Sequence, residues 1–180
     1  MADTKRTATD LLTNLFQDGQ TAGISAQDIR DLTQSLRPAF GGCYVTGNVS
    51  ATTITVQSTF YPINATFTAG NLIEVSMTAS GGKLTYTGTP DRHFHVVSNM
   101  DSSSSSSNQI VSFQWFKNGV AVAPPIQSKI STGGDIATMS VHTDAMLSTN
   151  DYLELKVTNT TSTATVTVTN CYLFMHGMFM

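Results

Sequence analysis

The chain has 180 residues, 40% of them hydrophobic and 12% charged, with nine Lys and Arg against twelve Asp and Glu, a formal net charge of −3. Charge this sparse, with cations scattered and no basic run, excludes a surface built to bind nucleic-acid phosphates. No apolar run approaches the roughly 20 residues of a bilayer-crossing helix, and the opening MADTKRTATD lacks the apolar core of a secretory signal, so assembly in a cytoplasm is expected.

The first predicted element lies in TATDLLTNLFQDGQ. Thr7 can cap it with Asp10 at the capping-box position, Leu11, Leu12, Leu15 and Phe16 share a face, and Gly19 supplies a left-handed stop. A second helix is predicted in GISAQDIRDLTQSLRP. Ser25 is placed to cap it, and Asp28 to reach back to the free N–H of the cap. Ile24 and Ile29 occupy the staple positions, and Ile29, Leu32 and Leu36 form a narrow apolar stripe. Pro38 ends the helix, because the residue before a proline is pushed out of the α region. Helices this short need something to lie against. Residues 1–42 therefore read as an arm, either folded back on its own domain or docked on another chain through Leu11, Leu12, Leu15, Phe16, Ile24, Ile29, Leu32 and Leu36.

From Cys43 the hydrophobic period changes from 3.6 to 2. TTITVQ, NLIEVSMT, KLTYTG, RHFHVVS, IVSFQWFK, DIATMSVH, DYLELKVT and TATVTVTNCYLFM read as short strands bounded by turn residues. In IVSFQWFK, Val111, Phe113 and Trp115 face one way, and Ser112 and Gln114 the other. In DYLELKVT, Leu153, Leu155 and Val157 point inward, and Glu154 and Lys156 outward. These are half-buried strands of an antiparallel sandwich. Asn118-Gly119 is a hairpin signal, since a type I′ turn needs two residues that tolerate positive φ. Gly81-Gly82 and Gly133-Gly134 mark further turns, and SSSSSSN at 102–108 is expected to be a surface loop. The fold class is mainly β, a jelly-roll sandwich over residues 43–180 behind a short helical arm.

The final strand departs from this pattern. After Asn170 both faces become apolar, with Cys171, Leu173 and Met175 on one and Tyr172 and Phe174 on the other. A strand that is greasy on both faces must be covered on both. One face goes to the core, and the other, with Met178 and Phe179 beyond it, most simply goes to a copy of the same chain.

No catalytic signature is present: there is no G-x-S-x-G, P-loop, H-E-x-x-H or CxxC. No enzyme activity, cofactor or metal is expected. Cys43 and Cys171 read as buried thiols on neighbouring strands, with a disulfide between them left open. His93 and His95 share a strand face opposite Phe94 and Val96. That face is either solvated or, in a trimer, near enough to an axis for three copies to hold a metal or an anion. His142 and His176 have no partner identifiable from the sequence.

The segment GISAQDIRDLTQSLRP, leading through FGGCYVTG into the first strand, resembles an arm of tailed-bacteriophage virion proteins that precedes their trimeric β-domains. The remainder, from KLTYTGTPDRHFHVVS through FKNGVAV to DYLELKVTNTTSTATVTVTNCYLFM, resembles the tumour-necrosis-factor and complement-like jelly roll. The resemblance implies a homotrimer with Tyr172, Phe174, Met178 and Phe179 between copies and the last strand near the three-fold axis. It also implies mounting by the arm on a major capsid or other virion protein. The chain lacks the long shaft of a fibre, so the expected role is a capsid decoration (cement) protein or short head fibre. The alternative is a tail or baseplate module that binds a host glycan or protein through loops at 101–109 and 123–126.

Overall fold

The computed structural model describes residues 24–178 together with Arg6, Asp10, Leu11 and Thr13. Leu12, Leu15, Phe16 and Phe179, and the helix expected after Thr7 apart from Asp10, Leu11 and Thr13, lie outside the described residues. Helix α1 (Ala26–Ser35) forms where the capping signals put it. Ser25 is extended at its N-cap, its hydroxyl accepts from the Asp28 N–H, and the Asp28 carboxylate accepts from the Ser25 N–H at 2.8 Å.

The rest is two antiparallel sheets packed face to face, as the alternating pattern requires. The first sheet runs β11 (Ala137–Leu147), β7 (Arg92–Ser104), β13 (Val166–Gly177), β1 (Phe40–Val45), β4 (Thr68–Ile73), with β2 (Ala51–Thr52) also on β13. The second runs β10 (Ile126–Ile130), β8 (Gln109–Lys117), β12 (Tyr152–Asn159), β6 (Lys83–Tyr86), β5 (Val75–Thr78). There β3 (Tyr61–Pro62) pairs with β12 and β9 (Val120–Ala121) with β8. Between the sheets, Trp115, Phe113, Phe94, Tyr86, Leu153, Leu155 and Leu173 are fully buried. The Tyr86 and Phe94 rings meet edge-on at 5.0 Å, a preferred aromatic geometry.

Some expectations hold residue by residue. Asn118 and Gly119 both have positive φ (49° and 82°), as a type I′ hairpin demands. Val111, Phe113 and Trp115 are buried; Ser112 on the opposite face is buried too, because it lies mid-sheet between β10 and β12. Cys43 and Cys171 are buried free thiols on the paired strands β1 and β13.

Other expectations need correction. The serine run is not all loop: Ser102, Ser103 and Ser104 continue β7, paired with Val168, Thr167 and Val166 of β13. A hydroxymethyl is small enough to be buried mid-sheet, and Ser102 and Ser104 are. TTITVQ yields only the end of β2. NLIEVSMT is broken at Glu74, whose φ of 54° turns the chain out of β4 in one sheet and into β5 in the other. Finally, β1 takes in Phe40–Gly42, which the sequence assigned to the arm.

Candidate interaction surfaces

On α1 the helix turns its polar side inward. Asp31 is 1% and Ser35 7% exposed, and Arg6 binds both: its Nε donates to Asp31 Oδ2 at 3.0 Å, and its backbone N–H to Ser35 Oγ at 2.7 Å. Gln27 donates to the other Asp31 oxygen. The apolar stripe is thereby left at the surface, with Ile24, Ile29 and Leu36 each at least half exposed and Leu32 half-buried. Leu11, expected among the docking side chains, is itself buried. Downstream, the Arg37 carbonyl accepts from Arg92 Nη1 at 3.3 Å and the Ala39 carbonyl from the Gly177 N–H at 2.7 Å, tying the end of the arm to the first sheet.

The second surface is the outward face of the first sheet. Because β13 lies between β7 and β1, the register assembles rows across strands distant in sequence. Tyr44, Tyr172, Asn99 and Ser140 form one row. Gly42, Phe174, Val97 and His142 form the next, and Phe40, His176, His95 and Asp144 the one after. The Tyr172 and Phe174 rings stack at 6.2 Å and 14°, and Phe40 tilts against Phe174 at 6.4 Å. Tyr172 is 46% exposed, Phe174 half-buried and Met178 exposed, while Cys171, Leu173 and Met175 on the inward side are buried. The two-faced strand read from the sequence is therefore present, with its outer aromatic face uncovered in the single chain.

Beside this stack is an open recess of about 500 Å³ lined by Tyr44, Tyr172, Asn99, Asp101, Thr138 and Asn170. Thr138 Oγ1 (2.6 Å) and Asn170 Nδ2 (3.0 Å) donate to Asp101 and hold its carboxyl below the usual carboxylate range.

The sequence placed His93 and His95 together and left His142 and His176 apart. The fold brings all of them onto one face. His176 is paired directly with His95, and the His95 and His142 rings lie 5.7 Å apart. His95 Nδ1 sits 2.8 Å from Asp144 Oδ1. Only the pairing of β13 and β11 with β7 shows this, and no local motif announces it. Among the described residues no group of three or more His, Cys, Asp or Glu is arranged to hold a metal ion. Burial alone pushes the Cys43 thiol up to about 12, and the Cys43 Sγ lies 3.8 Å from the Gly82 carbonyl.

No family model matches the chain, and no curated protein matches it in sequence. Solved structures do match in shape. Murine APRIL, in its crystal structure at pH 5.0, superposes with a TM-score of 0.51 at 8% identity, covering 79% of this chain and 100% of that one. Eiger TNF from S. frugiperda gives 0.47 at 11% identity, covering 78% and 93%. The globular domain of zebrafish complement 1qA gives 0.44 at 10%, covering 79% and 97%. At such identity the APRIL likeness shows the fold alone: an antiparallel jelly-roll sandwich.

Proposed function

We propose that the protein is a structural component of a phage virion: a homotrimeric capsid decoration (cement) protein or short head fibre. It docks through its N-terminal arm on the major capsid protein or another shell protein and is assembled in the host cytoplasm. The observation that carries this reading is the stripe of Ile24, Ile29 and Leu36, turned to solvent on an element that the sandwich core does not need. Burying each such side chain contributes about 1.5–3 kcal/mol, and arms joined through one trimer act together with the gain of multivalency. The copies meet across the outward face of β13, where Tyr172 and Phe174 supply rigid apolar area, with Met178 at the rim.

The test removes the arm without harming the sheet. Deletion of residues 1–36 keeps the Arg37 and Ala39 carbonyls that accept from Arg92 and Gly177. The truncated protein is expected to remain a trimer by light scattering and to lose co-sedimentation with particles stripped of the protein. Undiminished binding of the truncated form overturns the mounting role. The second reading, a tail or baseplate receptor-binding module, draws on the recess, where tyrosine rings beside amide, hydroxyl and carboxylate groups suit a glycan. Labelling on intact particles separates the two: signal over the whole shell supports decoration, and signal confined to the tail supports receptor binding.

A further inference from the structure

All four histidines of the chain lie on the outward face of one sheet, in the rows adjoining the Tyr172–Phe174 stack. His93 and His95 come from β7, His142 from β11 and His176 from β13. His95, His142 and His176 are exposed and His93 is half-buried. Resting on the trimer reading above, we infer that protonation of this cluster loosens the contact between copies, so that the assembly holds at neutral pH and weakens as the solution becomes mildly acidic.

The argument is one of charge and place. Imidazole is the side chain whose charge changes between about pH 5 and 8. While neutral, these rings extend the half-apolar surface of Phe40, Val97, Phe174 and Met146 around them. Once protonated, they put positive charges within a few ångströms of each other, as the 5.7 Å between His95 and His142 shows.

The other charged groups on the face compensate little. Asp144 on β11, 2.8 Å from His95 Nδ1, offsets the charge of that one imidazolium and stands exposed. Asp101 on β7 lies two rows away and is held by Thr138 and Asn170. β1 contributes Phe40 and Tyr44 and no charge. At the same end Arg92 points inward, Arg37 is exposed just ahead of β1, and Lys117, on the neighbouring sheet, is paired with Asp151; each is cationic and offers a histidine nothing. An assembly that buries this face gathers the imidazoles of every copy into a region stripped of water, where like charges are costly. Protons therefore bind more tightly to the separated chains, and lowering the pH drives separation by linkage.

Sedimentation of the full chain in a chelator-containing buffer at constant salt tests this. The dissociation constant of the assembly is expected to rise about tenfold or more between about pH 7.5 and about pH 5.5. Circular dichroism should be unchanged over the same range. A variant carrying His93→Gln, His95→Gln, His142→Gln and His176→Gln is expected to assemble equally at both values, since these positions lie on the surface and leave the core intact.

An assembly equally tight at both pH values overturns the inference and leaves the trimer standing. A single chain at both, at high concentration, overturns the trimer and the inference together. PH-dependence that survives in the glutamine variant, or loss of fold at the lower pH, assigns the effect to other groups. Assembly at neutral pH that is lost when chelator is added shows a shared metal in place of protonation.

Discussion

Gly41 and Gly42 are neighbours that serve opposite faces of β1. A Cβ on Gly41 would stand 2.6 Å from Val75 Cγ1 and 2.7 Å from Val75 Cβ, inside the sandwich. A Cβ on Gly42 would stand 2.8 Å from the Leu173 carbonyl oxygen and 3.1 Å from Phe174 Cδ2, under the aromatic stack. Val75 is β-branched and anchored in the core, so it has little room to give. Gly41→Ala is expected to cost about 1–3 kcal/mol in chemical denaturation, as overpacking does. Gly42→Ala, which would press on the Leu173 carbonyl of the paired strand, is expected to lower stability and, by shifting the Tyr172–Phe174 pair, to weaken self-association as well, as denaturation and sedimentation measured together would reveal. Cys43 gives a pH test. Its thiol is raised from 9.0 to about 12 by burial, so the folded state favours the protonated form. That contribution is complete below pH 9 and is lost as pH rises toward 12. Urea midpoints are expected to fall across that window, and Cys43→Ser should flatten the loss. The burial of both cysteines was legible in the sequence. The gathering of the histidines was not, because it depends on which strands pair, and residue spacing does not encode pairing between β7, β11 and β13.

At the scale of elements, local chemistry was the readable part. The Ser25–Asp28 box and the Asn118–Gly119 hairpin each act within a few residues, so the sequence carries them whole; in DYLELKVT the inward Leu153, Leu155 and Val157 are as read, but Glu154 on the other face is buried too, beside Lys156. The departures have a common cause in tertiary context. The serine run continues as strand because β13 and β11 flank it and satisfy its backbone. The NLIEVSMT strand divides at Glu74 because its halves belong to different sheets. On α1 the apolar stripe was correctly read as a stripe, but which side would be covered depended on Arg6, far from it in sequence. The cap itself is testable. The Ser25 hydroxyl and backbone N–H hold the Asp28 carboxyl below its ordinary 3.8. The carboxylate therefore supports the helix above that value, and the support is lost as pH falls through the carboxylate range. Ser25→Ala is expected to cost the helix about 1 kcal/mol, read as faster amide exchange through residues 26–35 with the sandwich unaffected.

At the scale of the whole molecule, covered and uncovered apolar surface are sharply divided. The sandwich interior is closed, whereas the α1 stripe and the aromatic face of β13 are open, and the proposed function gives them different contacts. Tyr172→Lys together with Phe174→Lys is expected to yield a folded single chain by light scattering that still bears its arm. Removal of residues 1–36 is expected to do the reverse. If either change abolishes both properties, the two surfaces are not independent. The central place of β13 has a consequence for how the molecule is made. Its slot between β7 and β1 stays vacant until residues 166–177 have left the ribosome, so β7 has only β11 and β1 only β4 until then. Closure of the first sheet thus waits on late-made chain, and products cut short of it expose unpaired edges to the cell's proteases. The topology thus makes the first sheet depend on residues 166–177, and only polypeptides that include them can close it.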